Sequence, residues 1–553
     1  MKRTSLAVLM IALALVALAA PMAFAQAPAP KVTINGLIDN LMSYSQNTSN
    51  QNGGTFNRNE DLWYARTRGR FDIVGEVGKA KAVFGIEIDT AWGQTGSADT
   101  NQAGLGVGKQ CLGCTSSWDL NTDSQAVIEV KWLYVEFPLP LIPVPTTVRV
   151  GAQPFGAASS YKLAAYTTGD FAGVNVVSQI TPNVKLIGTY VQVEEALTGT
   201  DTAPFPTTTT PSGILSTQVR GDDFAYIFSP EITPFKGLDI KPVFSMFYAQ
   251  GTTNGAARQG RGGINTSTAF TGSAGDFRGS MNEYRYTAGL DARLRMGPFS
   301  LDPTFMYQFG NRAVITPADS AACTAAGTCF SFTGAAPGQR KYADISAFLV
   351  DVRAGFQLGP LLIEGLVMHT SGNKARNSTL DTVSYYQPLT TDTGYLADWG
   401  TSMTSLGIDY FNAHNEGAGR IAYPGVSIGW DKYGRTQIGA KATYAITPAL
   451  SVMGGANAHW TAEEVDRNGV ATAGAGINPI FNGATPRDRS RFIGTELMAL
   501  ITYRFAPGLV WDNQFGYLFA AENGALDAVT DPTAGGQNVN NPWMLTSRIR
   551  FTF

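Results

Sequence analysis

The chain has 553 residues, of which 44% are hydrophobic and 15% charged, and its formal net charge is −3 at pH 7. The charged fraction is low against the roughly 25% of an average soluble domain, and the balance argues against nucleic acid as a partner. A chain of this length would ordinarily divide into several globular domains, but no linker or shift in composition marks a boundary.

The N-terminus resembles an export signal. A short basic start is followed by an apolar run from Leu6 to Ala20 and by an A-x-A pattern that ends at Ala25. This order is typical of a secretory signal peptide, and the run is shorter than the roughly 20 residues that a membrane-spanning helix needs. We therefore predict a signal peptide over residues 1–25 and one exported domain over residues 26–553.

Apolar and polar side chains alternate through most of that domain. In the segment KAVFGIEIDTAW, Phe84, Ile86 and Ile88 share one face, while Glu87 and Asp89 share the other. Side chains alternate across a strand, so each such segment predicts a strand with one apolar and one polar face. The strands of a soluble sandwich also alternate, and it is the number of such strands within one domain that is informative. Similar segments lie at 63–77, 284–296 and 493–505.

Short turns and long loops also alternate along the chain. The short turns carry Pro, Gly or Asn, as tight turns require, and the long loops are rich in Gly, Ser, Thr and Asn. This order places every short turn at one end of the sheet and every long loop at the other, the layout of a transmembrane barrel. The sheet must close, because lipid cannot hydrogen-bond a free edge. The short turns lie at 78–80, 181–183, 297–298, 359–360, 447–449 and 506–508.

We therefore predict an all-β fold, a transmembrane antiparallel β-barrel of about 18 strands, with 16 as the alternative, since bacterial single-chain barrels have even numbers. The segment 374–432 could hide a further hairpin. The predicted strands are roughly 31–46, 61–78, 80–92, 125–138, 145–154, 172–181, 184–195, 219–231, 237–250, 281–296, 299–311, 342–358, 361–371, 433–447, 450–462, 491–505, 509–521 and 542–553.

The last strand, MLTSRIRFTF, ends on a large apolar residue. Leu545, Ile549, Phe551 and Phe553 fall on one face, which we assign to lipid, and the arginines of this strand fall on the other. We expect this strand to close the barrel against the first one. A terminal aromatic on an amphipathic strand resembles outer-membrane barrels as a class, and the resemblance implies insertion into the outer membrane by the barrel-assembly machinery.

Aromatic residues near the strand ends predict the belts that mark the two membrane interfaces. Ordinary β-propensity accounts for some of them. The residues concerned are Trp63, Trp92, Trp132, Tyr134, Tyr284, Tyr286, Trp460, Tyr503, Trp511 and Trp543.

A motif-like stretch lies between Lys131 and Gly156, where a strand containing YVEF precedes a strand that ends in GAQPF. It resembles the Gram-negative outer-membrane porin family of the general-diffusion type. The resemblance implies a homotrimer and a constriction loop, here residues 155–171, that folds inward and narrows the pore. The loop departs from the family in its charge, since it offers only Asp170 as an acid, together with Lys162.

A barrel of 16–18 strands is too wide for side chains to fill and holds water, so its charged inner face should set the field in a pore. Arginines of the second and last strands flank the first strand and predict a basic stripe, faced by acids of the third strand. Equally, these residues could pair with one another and stiffen the wall, and the interleaved acids argue against strong anion selectivity. The predicted pore-lining residues are Arg66, Arg68, Arg70, Glu87, Asp89, Arg149, Lys162, Asp170, Arg548 and Arg550.

Four cysteines form two close pairs, Cys111 with Cys114 and Cys323 with Cys329. In an exported protein such spacing predicts local disulfides, which would stiffen outer loops. The three histidines lie far from both pairs in the sequence, and Thr115 stands where a c-type haem motif needs histidine. We expect no metal and no cofactor.

These features favour an outer-membrane porin that forms a water-filled channel for passive diffusion of small hydrophilic solutes and ions. The alternative is a non-channel structural or adhesive outer-membrane barrel whose long loops bind a partner. Catalysis is not expected, since no G-x-S-x-G elbow and no paired-carboxylate motif stands out.

Overall fold

The structure is a computed structural model that describes most of the strands and short turns of the chain. The described residues are 29–46, 61–92, 127–140, 142–155, 170–194, 223–249, 283–315, 340–372, 382–386, 399, 434–463, 491–522, 541 and 543–553. The predicted signal peptide, all four cysteines and Lys162 lie outside them.

Twenty strand segments form a single sheet. They are β1 (Lys31–Gln46), β2 (Asp61–Val77), β3 (Ala80–Ala91), β4 (Val127–Pro138), β5 (Thr146–Pro154), β6 (Asp170–Thr181), β7 (Val184–Glu194), β8 (Asp223–Phe228), β9 (Glu231–Phe235), β10 (Leu238–Ala249), β11 (Glu283–Met296), β12 (Phe299–Ile315), β13 (Arg340–Leu358), β14 (Leu361–Thr370), β15 (Thr382–Val383), β16 (Arg435–Ala445), β17 (Leu450–Thr461), β18 (Phe492–Ala506), β19 (Leu509–Ala520) and β20 (Trp543–Thr552).

The sheet is a closed antiparallel barrel of 18 wall strands, as predicted. Segments β8 and β9 form one wall strand between β7 and β10, interrupted at Ser229 and Pro230. Strand β14 pairs directly with β16, so the segment 374–432 adds no strand to the wall, and the alternative of 16 strands is wrong. None of the described residues belongs to a helix long and apolar enough to cross a membrane.

The first and last strands close the barrel at the terminal residue. Gly36 N donates to the Phe553 carbonyl at 2.9 Å, and Phe553 N donates to the Gly36 carbonyl at 3.0 Å. The Phe553 ring lies over Gly36, where an added Cβ would come 2.7 Å from the ring. The absence of a side chain at Gly36 thus makes room for the last aromatic ring of the chain.

The barrel exterior is apolar over most of its height. Leu545, Ile549, Phe551 and Phe553 are all exposed on it, which confirms the predicted outward face of the last strand. Aromatic rings gather towards each end of the strands, as interfacial belts do. Towards the long-loop end, rings approach within about 5 Å across neighbouring strands, as Tyr248 does with Tyr284 at 4.9 Å, and towards the short-turn end Tyr503 lies 4.8 Å from Phe505.

Among the described residues, apolar side chains pack together on one side of the interior. Inward-facing apolar side chains of β7, β8, β10, β12, β13 and β14 form a buried cluster. Tyr386 and Trp399, which follow β15 in the chain, join that cluster. Strand β15 itself pairs in parallel with β13 at Asp344 and Ile345, beyond the end of β14. The chain after β14 therefore re-enters the barrel, a feature that the sequence did not reveal.

The predicted constriction loop is only partly described. Phe155 and Phe171 at its ends are in edge-on contact, with ring centroids 5.7 Å apart, and Phe155 is buried in the interior cluster. Residues 156–169 lie outside the described part of the chain. The inward-folded segment that the structure does describe comes from the loop after β14.

Candidate functional site

Strand register brings the predicted arginines together on one wall. Strand β1 lies between β2 and β20, and Asp39 pairs with Arg68 on one side and with Arg550 on the other. Two residues further along, Leu41 pairs with Arg66 and with Arg548. All of these side chains lie on the inner face, because residues two apart on a strand point the same way.

Asp39 is the centre of this group. Arg548 binds it with two hydrogen bonds, from Nε to Oδ1 and from Nη2 to Oδ2, both 2.6 Å long. Arg66 Nη2 and Arg550 Nε each lie 3.6 Å from a carboxylate oxygen of the same residue. The Asp39 side chain is only 1% exposed. Sequence reasoning missed Asp39, although it is the one acid on the inner face of β1.

Glu87 on β3 is a second centre of charge. Arg70 bonds to it, Arg68 Nη2 lies 3.3 Å away, and Lys131 Nζ lies 3.2 Å from it. The predicted pairing of Arg68 and Arg70 with an acid of the third strand is thus present, and the acid is Glu87 for both arginines. The side chain of Asp89 lies outside the described part of the structure, although its backbone pairs with Arg68.

A β-bulge in β4 turns two consecutive residues into the lumen. The register between β3 and β4 shifts at Gly85 and Ile86, and an extra residue in one strand re-aims the side chains that follow. Lys131 Nζ bridges Glu87 and Asp170, at 3.2 and 2.9 Å, while Trp132 Nε1 donates to Asp170 Oδ1 at 2.5 Å. The prediction that Trp132 belongs to a membrane belt is wrong.

Glu136 is a third centre, nearer the short turns. Lys81 Nζ lies 2.7 Å from it, and Arg149 donates to it from Nε at 2.9 Å and from Nη2 at 2.7 Å. The Arg149 guanidinium also stacks over the Tyr134 ring at 4.7 Å from its centroid. Tyr134 therefore faces the lumen, and its prediction as a belt residue is also wrong.

The ionic side chains of the lumen differ in exposure. On the wall of β20 and β1–β5, which we call the charged wall, the side chains of Arg70, Arg548 and Arg550 are 35, 33 and 41% exposed. Across the barrel, the ionic side chains of Lys241 and Asp351 are 0% exposed. Because inward-facing side chains within the wall are exposed to the lumen, open space lies beside Arg70, Arg548 and Arg550.

The ionic groups across the barrel from the charged wall are also paired. Lys241 Nζ donates to Glu231 Oε1 at 2.7 Å, and Lys185 Nζ lies 3.4 Å from the other oxygen of Glu231. His459 Nε2 lies 3.3 Å from Glu496 Oε2. Among the described residues, no group of three or more His, Cys, Asp or Glu is placed to hold a metal ion.

No protein-family model and no curated protein matches this chain. Among solved structures, the chain is similar to Acinetobacter baumannii OccAB1, with 11% identity over 94% of this chain and 97% of that one and a TM-score of 0.43. A BenF-like porin from Pseudomonas fluorescens Pf-5 is 10% identical over 95% and 98%, with a TM-score of 0.44. Pseudomonas aeruginosa OccK5 (OpdH) is 9% identical over 94% and 98%, with a TM-score of 0.41.

At such values the similarities add nothing to what the strand pairing already shows. Lipid tolerates a sheet only when no edge is left unpaired, and the pairing of β20 with β1 removes the last edge. The apolar exterior, the aromatic belts and the arrangement of short turns and long loops match barrels of bacterial outer membranes. The chain is therefore a closed antiparallel β-barrel with the architecture of a bacterial outer-membrane barrel.

Proposed function

We propose that the barrel is an outer-membrane porin that lets small hydrophilic solutes and ions diffuse passively through a water-filled lumen. One observation carries this proposal: three arginines of the charged wall, Arg70, Arg548 and Arg550, keep a third or more of their side-chain surface exposed inside a closed barrel. Unsolvated charges inside lipid would be costly, so this surface implies water.

The composition of the charged wall supports a weak rather than a strict selectivity. Six cationic side chains gather around two carboxylates, with Asp170 joined through Lys131. The excess of positive charge around Asp39 and Glu87 favours anions, while the other acids of the wall, such as Asp170 and Glu136, leave passage to cations and neutral solutes. The six are Arg66, Arg68, Arg70, Lys131, Arg548 and Arg550.

The test is the single-channel conductance of the purified barrel in a planar bilayer under a salt gradient. We expect steady conductance in the wild type and a reversal potential that moves towards cations in the double variant Arg70→Ala, Arg550→Ala. Arg285→Ala is the matched control, because Arg285 lies on β11 outside the charged wall, is only 5% exposed and pairs with Glu283. It should leave the reversal potential unchanged.

Absence of conductance from correctly folded wild-type barrels would overturn the channel. It would favour the alternative of a structural or adhesive barrel whose long loops bind a partner. The homotrimer, the disulfides at Cys111–Cys114 and Cys323–Cys329, and recognition of the last strand by the barrel-assembly machinery belong to the same proposal. Chemical cross-linking in native membranes would test the trimer, and thiol alkylation with and without a reductant would test the disulfides.

A further inference from the structure

Trp399 occupies an unusual position for a loop residue. It lies inside the barrel, 2% exposed, against the inner faces of β16 and β17. The charged ammonium of Lys441 sits 4.4 Å from the centroid of its ring. Residues 437–441 form the central part of β16, so Trp399 lies well below the loop end of the wall.

The wall holds Trp399 by its backbone as well as by its ring. Gln437 Nε2 donates to the Trp399 carbonyl at 2.8 Å, and Asn457 Nδ2 donates to the same oxygen at 3.0 Å. Both amides are buried. Two side-chain donors from neighbouring strands on one carbonyl hold this point of the chain in place, because a buried carbonyl that loses its partners is costly.

The wall also carries a recess that fits the ring. Gly439 faces the lumen between Gln437 and Lys441, and a Cβ added to it would lie 2.0 Å from Asn457 Oδ1 and 3.4 Å from the Trp399 ring. Any side chain at Gly439 would push the Asn457 amide aside and weaken its hydrogen bond to Trp399. The recess thus depends on glycine.

The described residues of the re-entrant chain, 382–386 and Trp399, fill part of the lumen on this side. Tyr385 and Tyr386 are 1 and 0% exposed, and Val383 is paired with β13 and 1% exposed. Tyr386 and Trp399 share a cluster with Leu366 and Met368, whose side chains line the inner wall. Without these rings the lumen would be wider on this side.

We propose that Trp399 is the positioning residue that anchors the re-entrant chain in the lumen and so sets the size limit of the channel. This inference rests on the proposed diffusion function. The permeation path then has two sides. One is the buried cluster that contains Trp399, and the other is the charged wall. The solutes admitted are those small enough to pass between an apolar face and a row of guanidinium groups.

The experiment compares wild type, Trp399→Ala, Trp399→Phe and Gly439→Ala. Single-channel conductance is measured in planar bilayers, and uptake of oligosaccharides of increasing size is measured by liposome swelling. We expect Trp399→Ala to raise conductance roughly twofold, since conductance follows the open cross-section, and to admit a larger sugar. Trp399→Phe should keep most of the wild-type size limit for sugars. Gly439→Ala should raise conductance less than Trp399→Ala does.

Two controls separate an anchor from general loosening of the barrel. Gly454 has open space around an added Cβ, so Gly454→Ala should behave as wild type. The reversal potential of Trp399→Ala should equal that of wild type, because the charged wall is untouched. Heat-modifiable migration on gels identifies folded barrels in every sample.

Each outcome bears on one proposal or on both. If the wild type conducts and Trp399→Ala has the same conductance and the same sugar size limit, the proposal that Trp399 is an anchor is overturned. The proposed channel function is then still supported. A silent wild type with a conducting Trp399→Ala would overturn the open diffusion channel and, with it, the size limit assigned to Trp399. Silence of every folded variant would overturn the channel and the anchor together.

Discussion

Arg548 and Asp39 form a two-point ion pair across 509 positions of sequence, with both hydrogen bonds 2.6 Å long. The pair joins the last wall strand to the first, where the barrel closes. Two matched hydrogen bonds to a carboxylate fix the guanidinium in orientation as well as in position. The seam of the barrel is therefore fastened by side chains in the lumen as well as by the backbone ladder.

Replacing Asp39 with Asn should destabilise the barrel. Arg66, Arg548 and Arg550 would lose the carboxylate between them, and removing one partner of a buried ionic group costs about 3 kcal/mol. The midpoint of guanidinium unfolding in lipid vesicles should fall accordingly. Asp302→Asn removes a more exposed acid and should cost far less; an equal loss from both variants would show that the seam has no special role.

Replacing Glu87 with Gln should shift ion selectivity towards anions. Arg68, Arg70 and Lys131 would keep their charges and lose their shared acid, so the potential in the lumen would become more positive. The reversal potential under a salt gradient measures this change. Glu364→Gln, which removes the partner of Lys441 away from the charged wall, should have the smaller effect, and the reverse ranking would contradict the assignment of the path.

Replacing Gly36 with Val should impair barrel closure. The new side chain would meet the Phe553 ring, since a Cβ there lies 2.7 Å from it and 2.9 Å from the Arg70 carbonyl. We expect slower folding into vesicles, measured as the rate at which the heat-modifiable band appears. The control is Gly75→Val, because Gly75 lies on the outer face of the neighbouring strand β2 with open space around an added Cβ. A similar delay in that variant would rule out a specific role for the contact between Gly36 and Phe553.

Replacing Lys241 with Met should affect stability and leave permeation unchanged. Lys241 is 0% exposed and bonds to Glu231, so its loss leaves a carboxylate with only the more exposed Lys185 and costs roughly 3 kcal/mol. Conductance and reversal potential should stay at wild-type values, because this half of the lumen is packed. A shift in reversal potential would mean that water reaches Lys241.

Much of the wall could be predicted from local pattern. Alternation along each strand assigns residues such as Arg70 and Phe71 to opposite faces, because the period of two is a property of the extended backbone. The prediction of membrane belts from aromatic residues near strand ends failed at Trp132 and Tyr134, where one extra residue in β4 changes the face of the residues that follow. A bulge is a mismatch between two strands, and neither strand alone reveals it.

The sequence by itself therefore determined the closed barrel, a strand number of 18 or 16 and the wall on which the arginines gather, since strand periodicity and turn chemistry are local. Only the tertiary structure decided that Asp39 and Glu87 divide those arginines between them, because pairing depends on register across the seam. It alone also decided that Trp399 lies in the lumen. The recess at Gly439, the amides of Gln437 and Asn457 and the ammonium of Lys441 come from two strands and meet only after the barrel has closed.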